Sequence, residues 1–473
     1  MHKKLLPLIL TLAIVFSSIT ISIPTKASAS GGKTIKIIAV DEQGKEIKTI
    51  LKENLNTGPQ VITAPEIPGY ELISTKVVTV WLDEEDVEKE VKFEYKNTDE
   101  NNKINVNNIK TTESSYEITE EIENLQNMIA GGASHSIFVK SDRTAWTCGH
   151  NEYGKLGDGT MTNRTTPVQV MTNVVAVAAG GNHSLFIKSD GTAWTCGYNY
   201  DGQLGDGTKT NRSTPVQVMT NVIAVAAGSS HSLFVKSDGT AWACGDNGWG
   251  QLGNGTTTDR STPVQVMTNV VAVAAGSDHS LFIKSDGTAW TCGRNSNGEL
   301  GDGTETNRST PVQVMTNVVA VAAGLFHSLF IKSNGTAWAC GNNSNGQLGN
   351  GTETSRSTPV QVMTNVVAVV AGGNHSLFIK SDGTAWTCGS DYFGQLGDGA
   401  TTNRSTPVQV MTNVVAVAAG YNHSFFIKSD GTAWACGNNS NGQLGNGTTT
   451  HRSIPVQVMN IDNIKPKMII TVG

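Results

Sequence analysis

The chain has 473 residues, 34 Lys and Arg against 40 Asp and Glu, and a formal net charge of −6. The imbalance is local: residues 30–129 carry 11 basic and 20 acidic side chains, whereas residues 130–473 carry 20 of each. Neither part has the basic excess that a phosphate backbone demands, so nucleic acid is not an expected partner.

Residues 1–29 read as a secretion signal. His2, Lys3 and Lys4 precede an apolar run from Leu5 to Ile23, and Ala27-Ser28-Ala29 offers a cleavage site. Pro7 and several Ser and Thr residues interrupt the run, which argues against a membrane anchor. No later stretch is apolar enough to span a bilayer, and the C-terminal KPKMIITVG lacks an LPxTG-type sorting motif. The expectation is an exported protein, secreted or surface-associated, with no membrane insertion after cleavage.

Residues 33–96 read as a small β-rich domain. KTIKIIAV alternates like a strand, DEQG is a turn, VITAP, IPGYEL and VVTVWL follow, and VEKEVKFEYK alternates with period two. The I-x-x-V-D-E-x-G-K-E start, IPGY centre and F-x-Y end resemble the mucin-binding-protein (MucBP) repeats of Gram-positive surface proteins. That resemblance implies a β-grasp-like fold and a surface role. Residues 97–125, opening NTDENNKINVNN, are polar and poor in large apolar side chains, the composition of a solvated linker.

Residues 126–459 are a tandem repeat, followed by a short tail at 460–473. His135, His183, His231, His279, His327, His375 and His423 recur every 48 residues, as do seven Trp from Trp146 to Trp434 and all seven Cys from Cys148 to Cys436. In one copy PVQV, VVAVAAG, HSLFIKS and TAWTCG read as four short strands, with Asp190-Gly191 suited to a type I′ hairpin turn. Four strands per copy, seven copies and no helical signal predict an all-β chain whose main body is a seven-bladed β-propeller of four-stranded blades. The short MTN link suggests that PVQV opens each blade and that the long polar stretch after TAWTCG crosses to the next. On that phase the last PVQV, Pro455–Val458, would complete the first blade and close the ring.

G-x-x-H-S-L, D-G-T-x-W-x-x-G-x-N and G-Q-L-G-[DN]-G together resemble the regulator-of-chromosome-condensation repeat over about 330 residues. The resemblance implies the propeller fold but no single function. The family's eukaryotic founder is a nuclear exchange factor for a small GTPase; a secreted bacterial β-lactamase inhibitor of the same propeller type binds proteins with one face.

The recurring His, Trp and Cys read as scaffold, since a catalytic group is rarely needed seven times. The His is expected to hydrogen-bond nearby backbone, and the Trp to pack between blades. A Cys on the third or fourth strand stands roughly 15 Å from the axis, which separates equivalent Cα atoms by about 13 Å, too far for disulfides. Seven buried thiols and no disulfide are expected. The GQLGDGT loop lacks the G-K-[ST] ending of a phosphate loop, and Asp206 alternates with Asn254, which argues against an obligatory calcium ligand.

Differences between copies concentrate in two places: the pair between Gly and His, and the segment after Cys-Gly. Alternating strand direction puts both on one face. Eight aromatics outside the repeat template lie there: Tyr153, Tyr198, Tyr200, Trp249, Phe326, Tyr392, Phe393 and Tyr421. Leu325 adds an apolar side chain, and Asp278 with Arg294 adds charge. Tyr and Trp on a rigid surface are the chemistry of binding hot spots. The expected function is binding of a protein, or of a surface glycan, through this face. A propeller lyase or hydrolase is the second reading, although no catalytic set, metal site or cofactor site is found; His150 and Glu152 share the face but read as a loop pair. A structural envelope protein is the third. A closed propeller needs no partner to fold, so a monomer is expected.

Overall fold

The computed structural model describes residues 33–41, 46–55, 58–63, 70–72, 77–82, 88–97, 128–461 and 464. The expected signal segment and linker lie outside them. The chain forms two units, one holding the described strands from residue 33 to 97 and the other residues 128–461 and 464.

The N-terminal unit contains β1 (Lys33–Asp41), β2 (Glu46–Leu55), β3 (Gly58–Thr63), β4 (Tyr70–Leu72), β5 (Val77–Leu82) and β6 (Glu88–Asn97). Four strands form a sheet in the order β2-β1-β6-β4, and β3 pairs with β5. The central pair, β1 and β6, runs parallel, while β1–β2 and β4–β6 run antiparallel. Ile37, Ile38, Ala39 and Val40 of the central strand β1 are all buried, as a continuous apolar run at the middle of a sheet requires.

The second unit is a seven-bladed propeller of four-stranded antiparallel sheets. Its first blade comprises β7 (Ile129–Gly131), β8 (His135–Val139), β9 (Ala145–Gly149) and β10 (Arg164–Met171). The second comprises β11 (Val174–Ala179), β12 (His183–Lys188), β13 (Ala193–Gly197) and β14 (Arg212–Met219), and the last ends with Arg452–Gln457. VVAVAA is therefore the first strand of each blade, at the axis, and R-S-T-P-V-Q-V-M is the fourth. This corrects the expected phase. PVQV belongs with the TAWTCG before it: Trp194 pairs with Gln217 and Thr195 with Val216. The long polar stretch stays within a blade, and the MTN link crosses between blades. Two residues suffice because the link is anchored on both sides, Val174 N donating to Arg143 O and Ser189 N to Asn173 O, each at 2.9 Å. Asn173 takes a left-handed φ of 60° there, a conformation Asn tolerates better than most side chains.

The last PVQV likewise stays in its own blade, pairing with Ala433–Gly437. Among the described residues no strand bridges the ends of the ring. Instead each long loop reaches over the following blade: Gly154 sits so close to Ser213 that a Cβ would lie 2.4 Å from its Cα. In the closing step the loop of the last blade does this to the first, with Gly447 N donating to Thr165 O at 3.0 Å.

The hairpin at Asp190-Gly191 also departs from the expected type I′ form. Only Gly191 has positive φ (77°), Gly191 N donates to Lys188 O at 2.9 Å, and Lys188 N donates to Thr192 O at 2.9 Å. This is a type I turn closed by a left-handed glycine. The first blade places Arg143 at that position with φ 63°. Arg143→Gly is expected to stabilise the propeller by about 0.5–1 kcal/mol by relieving this conformation, measurable as a raised denaturant midpoint at unchanged m-value.

The core lies between blades. One cluster joins Ile137, Val139 and Ala145 of the first blade to Val174, Phe186 and Cys196 of the second, with Trp194 packed against it. The Trp thus packs between blades as expected. It is only half-buried, however: Lys188 Nζ lies 4.5 Å from the ring centroid and Thr192 Oγ1 accepts its indole N–H at 2.9 Å. All seven Cys are buried and free. Each thiol points at a carbonyl of the preceding blade's loop, Cys196 to Lys155 O at 3.6 Å for example, and burial pushes every thiol pKa up.

The recurring His does more than its expected bond to nearby backbone. His183 Nε2 lies 2.9 Å from Ser232 Oγ of the next blade, whose hydroxyl donates to Gln203 O at 2.7 Å. The Ser proton is committed to the carbonyl, so the His donates through Nε2 and leaves Nδ1 bare. Seven such bonds of 2.9–3.1 Å run round the ring, ending with His423 on Ser136. All seven Nδ1 atoms are buried without a partner. The glycine three residues before each His is required by close approach: a Cβ on Gly180 would lie 2.4 Å from His183 Cε1 and 2.5 Å from Gly228 O.

Candidate functional site

The two variable loops of each blade do share one end of the propeller. The segment after Cys-Gly is tied directly to the pair before His in the same blade: Tyr198 N donates to Asn182 O, Arg294 N to Asp278 O and Asn342 N to Phe326 O, at 2.7–2.8 Å. The long loop is then held by one side chain. Asn199 Nδ2 donates to Asp206 Oδ1, Thr208 O and Thr210 O at 3.0–3.1 Å, and its Oδ1 accepts Leu204 N at 3.0 Å. Asp206 in turn binds Arg212 at 2.8 Å. The glycine-rich loop is thus a self-contained hydrogen-bonded frame, and it presents the residues just after Cys-Gly rigidly.

The eleven singled-out residues fall into four groups rather than one continuous ring. Tyr153 and Tyr198 contact at 4.8 Å between ring centroids, and Tyr198 stacks on Tyr200 at 6.4 Å. Across the third to fifth blades, the Arg294 guanidinium lies 4.5 Å from the Phe326 centroid and 5.7 Å from that of Trp249. Asp278 Oδ2 is 3.8 Å from Arg294. On the sixth blade Tyr392 meets Phe393 edge-on at 4.9 Å, and Phe393 meets His451 of the seventh at 5.1 Å. Leu325 and Tyr421 stand at the axis.

The axial mouth is a depression of about 500 Å³, counted out to open solvent, lined mainly by Ala, Gly and Ser. Tyr421 reaches across it, its hydroxyl hydrogen-bonded to Ser229 Oγ of the third blade. Ser229 Oγ donates onward to Ser277 Oγ at 3.0 Å, and Ser277 to Asp278 Oδ2 at 3.1 Å. A chain of polar contacts therefore joins the seventh blade to the Arg294 group. Ser229 and Ser277 sat in the variable pairs without distinction; only the ring geometry brings them opposite Tyr421.

Electrostatics divides this face unevenly. Asp201 is pushed up by burial and then by Asp246 and Asp259, and Asp278 by burial and Asp246. Glu299 replaces the Gln found here in five other blades; burial raises its pKa, and its Oε1 has no hydrogen bond although Arg294 Nε is 3.8 Å away. Lys155 stands at the same position in the first blade. Burial lowers its pKa to about 8, and its ammonium donates to Asn182 Oδ1 at 2.6 Å. His150 Nε2 is 3.7 Å from Glu152 Oε2, a half-exposed pair with no third member. Among the described residues no three His, Cys, Asp or Glu side chains converge as a metal site, and no helix is long and apolar enough to cross a membrane.

Exposure separates the aromatics further. Tyr200, Trp249 and Tyr392 are 68%, 46% and 77% exposed. The other five are partly buried, and of these Tyr198 and Phe393 contact Tyr200 and Tyr392 directly. The propeller is thus a closed ring whose exposed aromatics are confined to the end that carries the variable loops. Residues 168–473 match the RCC1-like domain, and residues 144–187 and 129–155 match the regulator of chromosome condensation (RCC1) repeat. The chain belongs to the RCC1-like domain family. Similar solved structures include human WBSCR16, with 23% identity, TM-score 0.62 and coverage of 67% of this chain and 94% of that one. Prp20p from Saccharomyces cerevisiae shows 22% identity, TM-score 0.61 and coverage of 67% and 85%. Yeast RCC1 (Prp20) solved with Kap60 shows 21%, 0.62, and 75% and 90%. No curated protein matches the chain in sequence.

Proposed function

We propose that this chain is an exported binding protein that holds a protein partner on the variable face of its propeller. The observation that carries the reading is the confinement of exposed Tyr200, Trp249 and Tyr392 to the loops of one end. Large aromatics cost free energy when left in water and repay it when covered, and rigid loops lose little entropy on binding. The solved yeast relatives support the class of partner: Prp20p is described with binding to Gsp1p and histones, and with Kap60 bound. The basic n-region, apolar run and Ala27-Ser28-Ala29 site support export. The N-terminal unit serves as a second contact or a spacer at the surface. Its MucBP-like motifs and the order β2-β1-β6-β4 about a parallel pair support a β-grasp-like domain of that kind.

The test is affinity capture from host-surface extract and from culture supernatant. The full chain is compared with a Tyr200→Ala, Trp249→Ala, Tyr392→Ala variant. All three side chains are exposed, so the variant should melt with the parent. A partner retained by the parent should be lost, at about 2 kcal/mol or more per hot-spot side chain. Equal capture by both chains would remove the aromatic face from the function, and capture of glycan alone would replace the protein partner.

A further inference from the structure

The seven copies act as internal controls for one another, and one loop breaks the frame in a chemically pointed way. In six blades the frame is held by Asn151, Asn199, Asn247, Asn295, Asn343 or Asn439. The sixth blade has Asp391. Its Oδ1 accepts Leu396 N at 2.9 Å, just as Asn199 Oδ1 accepts Leu204 N at 3.0 Å. Its second oxygen therefore takes the place of the amide nitrogen. In the second blade that nitrogen donates to Asp206 Oδ1, Thr208 O, Thr208 Oγ1 and Thr210 O, at 3.0, 3.1, 3.3 and 3.1 Å. The equivalents in the sixth blade are Asp398, Ala400 and Thr402, each 192 residues on.

A donor has thus been replaced by an acceptor among acceptors. Asp391 is fully buried, and its Oδ2 has no hydrogen-bond partner. Arg404 does not supply one, because it is committed to Asp398 Oδ2 at 2.7–2.8 Å. Ala400 stands where all six other copies have Thr: Thr160, Thr208, Thr256, Thr304, Thr352 and Thr448. The loss of that side chain removes one hydroxyl from the same spot.

We propose that the sixth blade binds a hard cation, Ca2+ by its chemistry, between Asp391 Oδ2, Asp398 Oδ1 and the main-chain oxygens of Ala400 and Thr402. In the second blade the amide nitrogen that Asp391 Oδ2 replaces lies 3.0–3.1 Å from the three equivalent oxygens, close to the separation of neighbouring oxygens round a Ca2+ ion, whose ligands lie at 2.3–2.6 Å in irregular geometry. Mg2+ demands a regular octahedron and keeps its waters, which suits a fully buried carboxylate poorly. Only two of these ligands are carboxylates, so the site does not show as a cluster of acidic side chains. The competing occupant is a proton. Burial, with Asp398 nearby, pushes Asp391 up to about 7, so an ion would have to displace a proton near neutral pH. The ion would also lock the loop that carries Tyr392 and Phe393, which ties the site to the exposed face.

The test is melting of the full chain and of Asp391→Asn at pH 8, in EDTA and with millimolar Ca2+, Mg2+ or Na+. Asp391→Asn recreates the side chain of six other blades, so it should fold. In EDTA it should melt above the parent. Ca2+ should raise the parent by several degrees and leave Asp391→Asn unmoved. Terbium luminescence should show at least about tenfold weaker binding to Asp391→Asn. A Ca2+ shift equal in both chains, or none in the parent, overturns the proposal, and so does a response to Na+ alone. Each of these readouts is independent of partner capture by the aromatic face.

Discussion

Acidification from neutral pH is expected to unfold the propeller between about pH 6.5 and 5, with uptake of about seven protons by the repeat imidazoles, offset by about one released from Asp391. Burial holds His183, His279, His375 and His423 at about 3 and His231 and His327 at about 4, against 6.5 for an exposed imidazole. His135 is lowered in the same way, by burial first and then by Lys155 and the neighbouring His. The geometry explains the direction. Protonation would place a charge and a new N–H on each Nδ1, where nothing accepts it, while Nε2 is already used on Ser. Because the folded pKa values are depressed, the unfolded chain binds more protons between 6.5 and the folded values. Stability is therefore fully present above 6.5 and is lost as pH falls towards 3–4. Each His contributes a slope of about 1.4 kcal/mol per pH unit, so seven acting together approach 9–10, against a total stability of order 5–15 kcal/mol. The carboxylates held low by Thr, such as Asp190 and Asp286, act in the same direction but at lower pH. Tryptophan fluorescence and potentiometric proton uptake would measure the transition. His231→Gln should reduce the uptake by one proton. A midpoint near pH 3 with uptake of one or two protons would show that the His ring does not govern acid stability.

The period, the strand count and the face carrying the aromatics were legible because each rests on local pattern repeated seven times. Alternation and apolar runs mark strands, and strand direction decides which loops lie together. The blade phase was not legible. A short MTN link reads as a hairpin when only length is considered, and its anchoring to Arg143 O of one blade and Ser189 N of the next is a tertiary fact. The long loop hides its path for the complementary reason. Its length suggested travel, but Asn199 and its equivalents fold it back on itself over the next blade. The His partner was out of reach for the same cause, since Ser232 lies 49 residues away and in another sheet. At the candidate site the aromatics and Arg294 were visible as departures from a template. Asp391 was equally a departure, but a carboxylate in place of an amide gains meaning only once the amide is seen to donate. Glu299 and Lys155 became notable only when their burial was known.

A ring without a bridging strand should open at one place. Blade seven and blade one meet through Phe425, Ile427, Ala433 and Leu444 on one side and Ile129, Phe138 and Cys148 on the other. Phe425, where the other blades carry Leu or Ile, packs edge-on against Phe138 at 5.3 Å. The first strand of blade one has only three residues, against six in the other blades. The chain after the last strand supplies the balance: Val458, Ile461 and Ile464 are buried in this cluster, and Ile464 N donates to Gly431 O at 3.2 Å. Ile461→Ala or Ile464→Ala should therefore cost about 2–5 kcal/mol, and Phe425→Ala about 3–5, by lost burial and residual cavity. A matched truncation inside the ring, Leu329→Ala between blades five and six, should cost as much but act elsewhere. There the covalent MTN link still joins the blades, whereas the closing seam is held without one, by side chains, the Gln443 loop and Tyr421 N donating to Gly132 O at 3.2 Å. Hydrogen exchange should then show the seam variants losing protection first in Ile129–Val139 and in blade seven, with blades three to five still closed. Leu329→Ala should leave the closing seam protected at the same total stability. Identical exchange patterns for the two kinds of variant would mean that the ring melts as one cooperative body and that its closure is no weaker than its other joints.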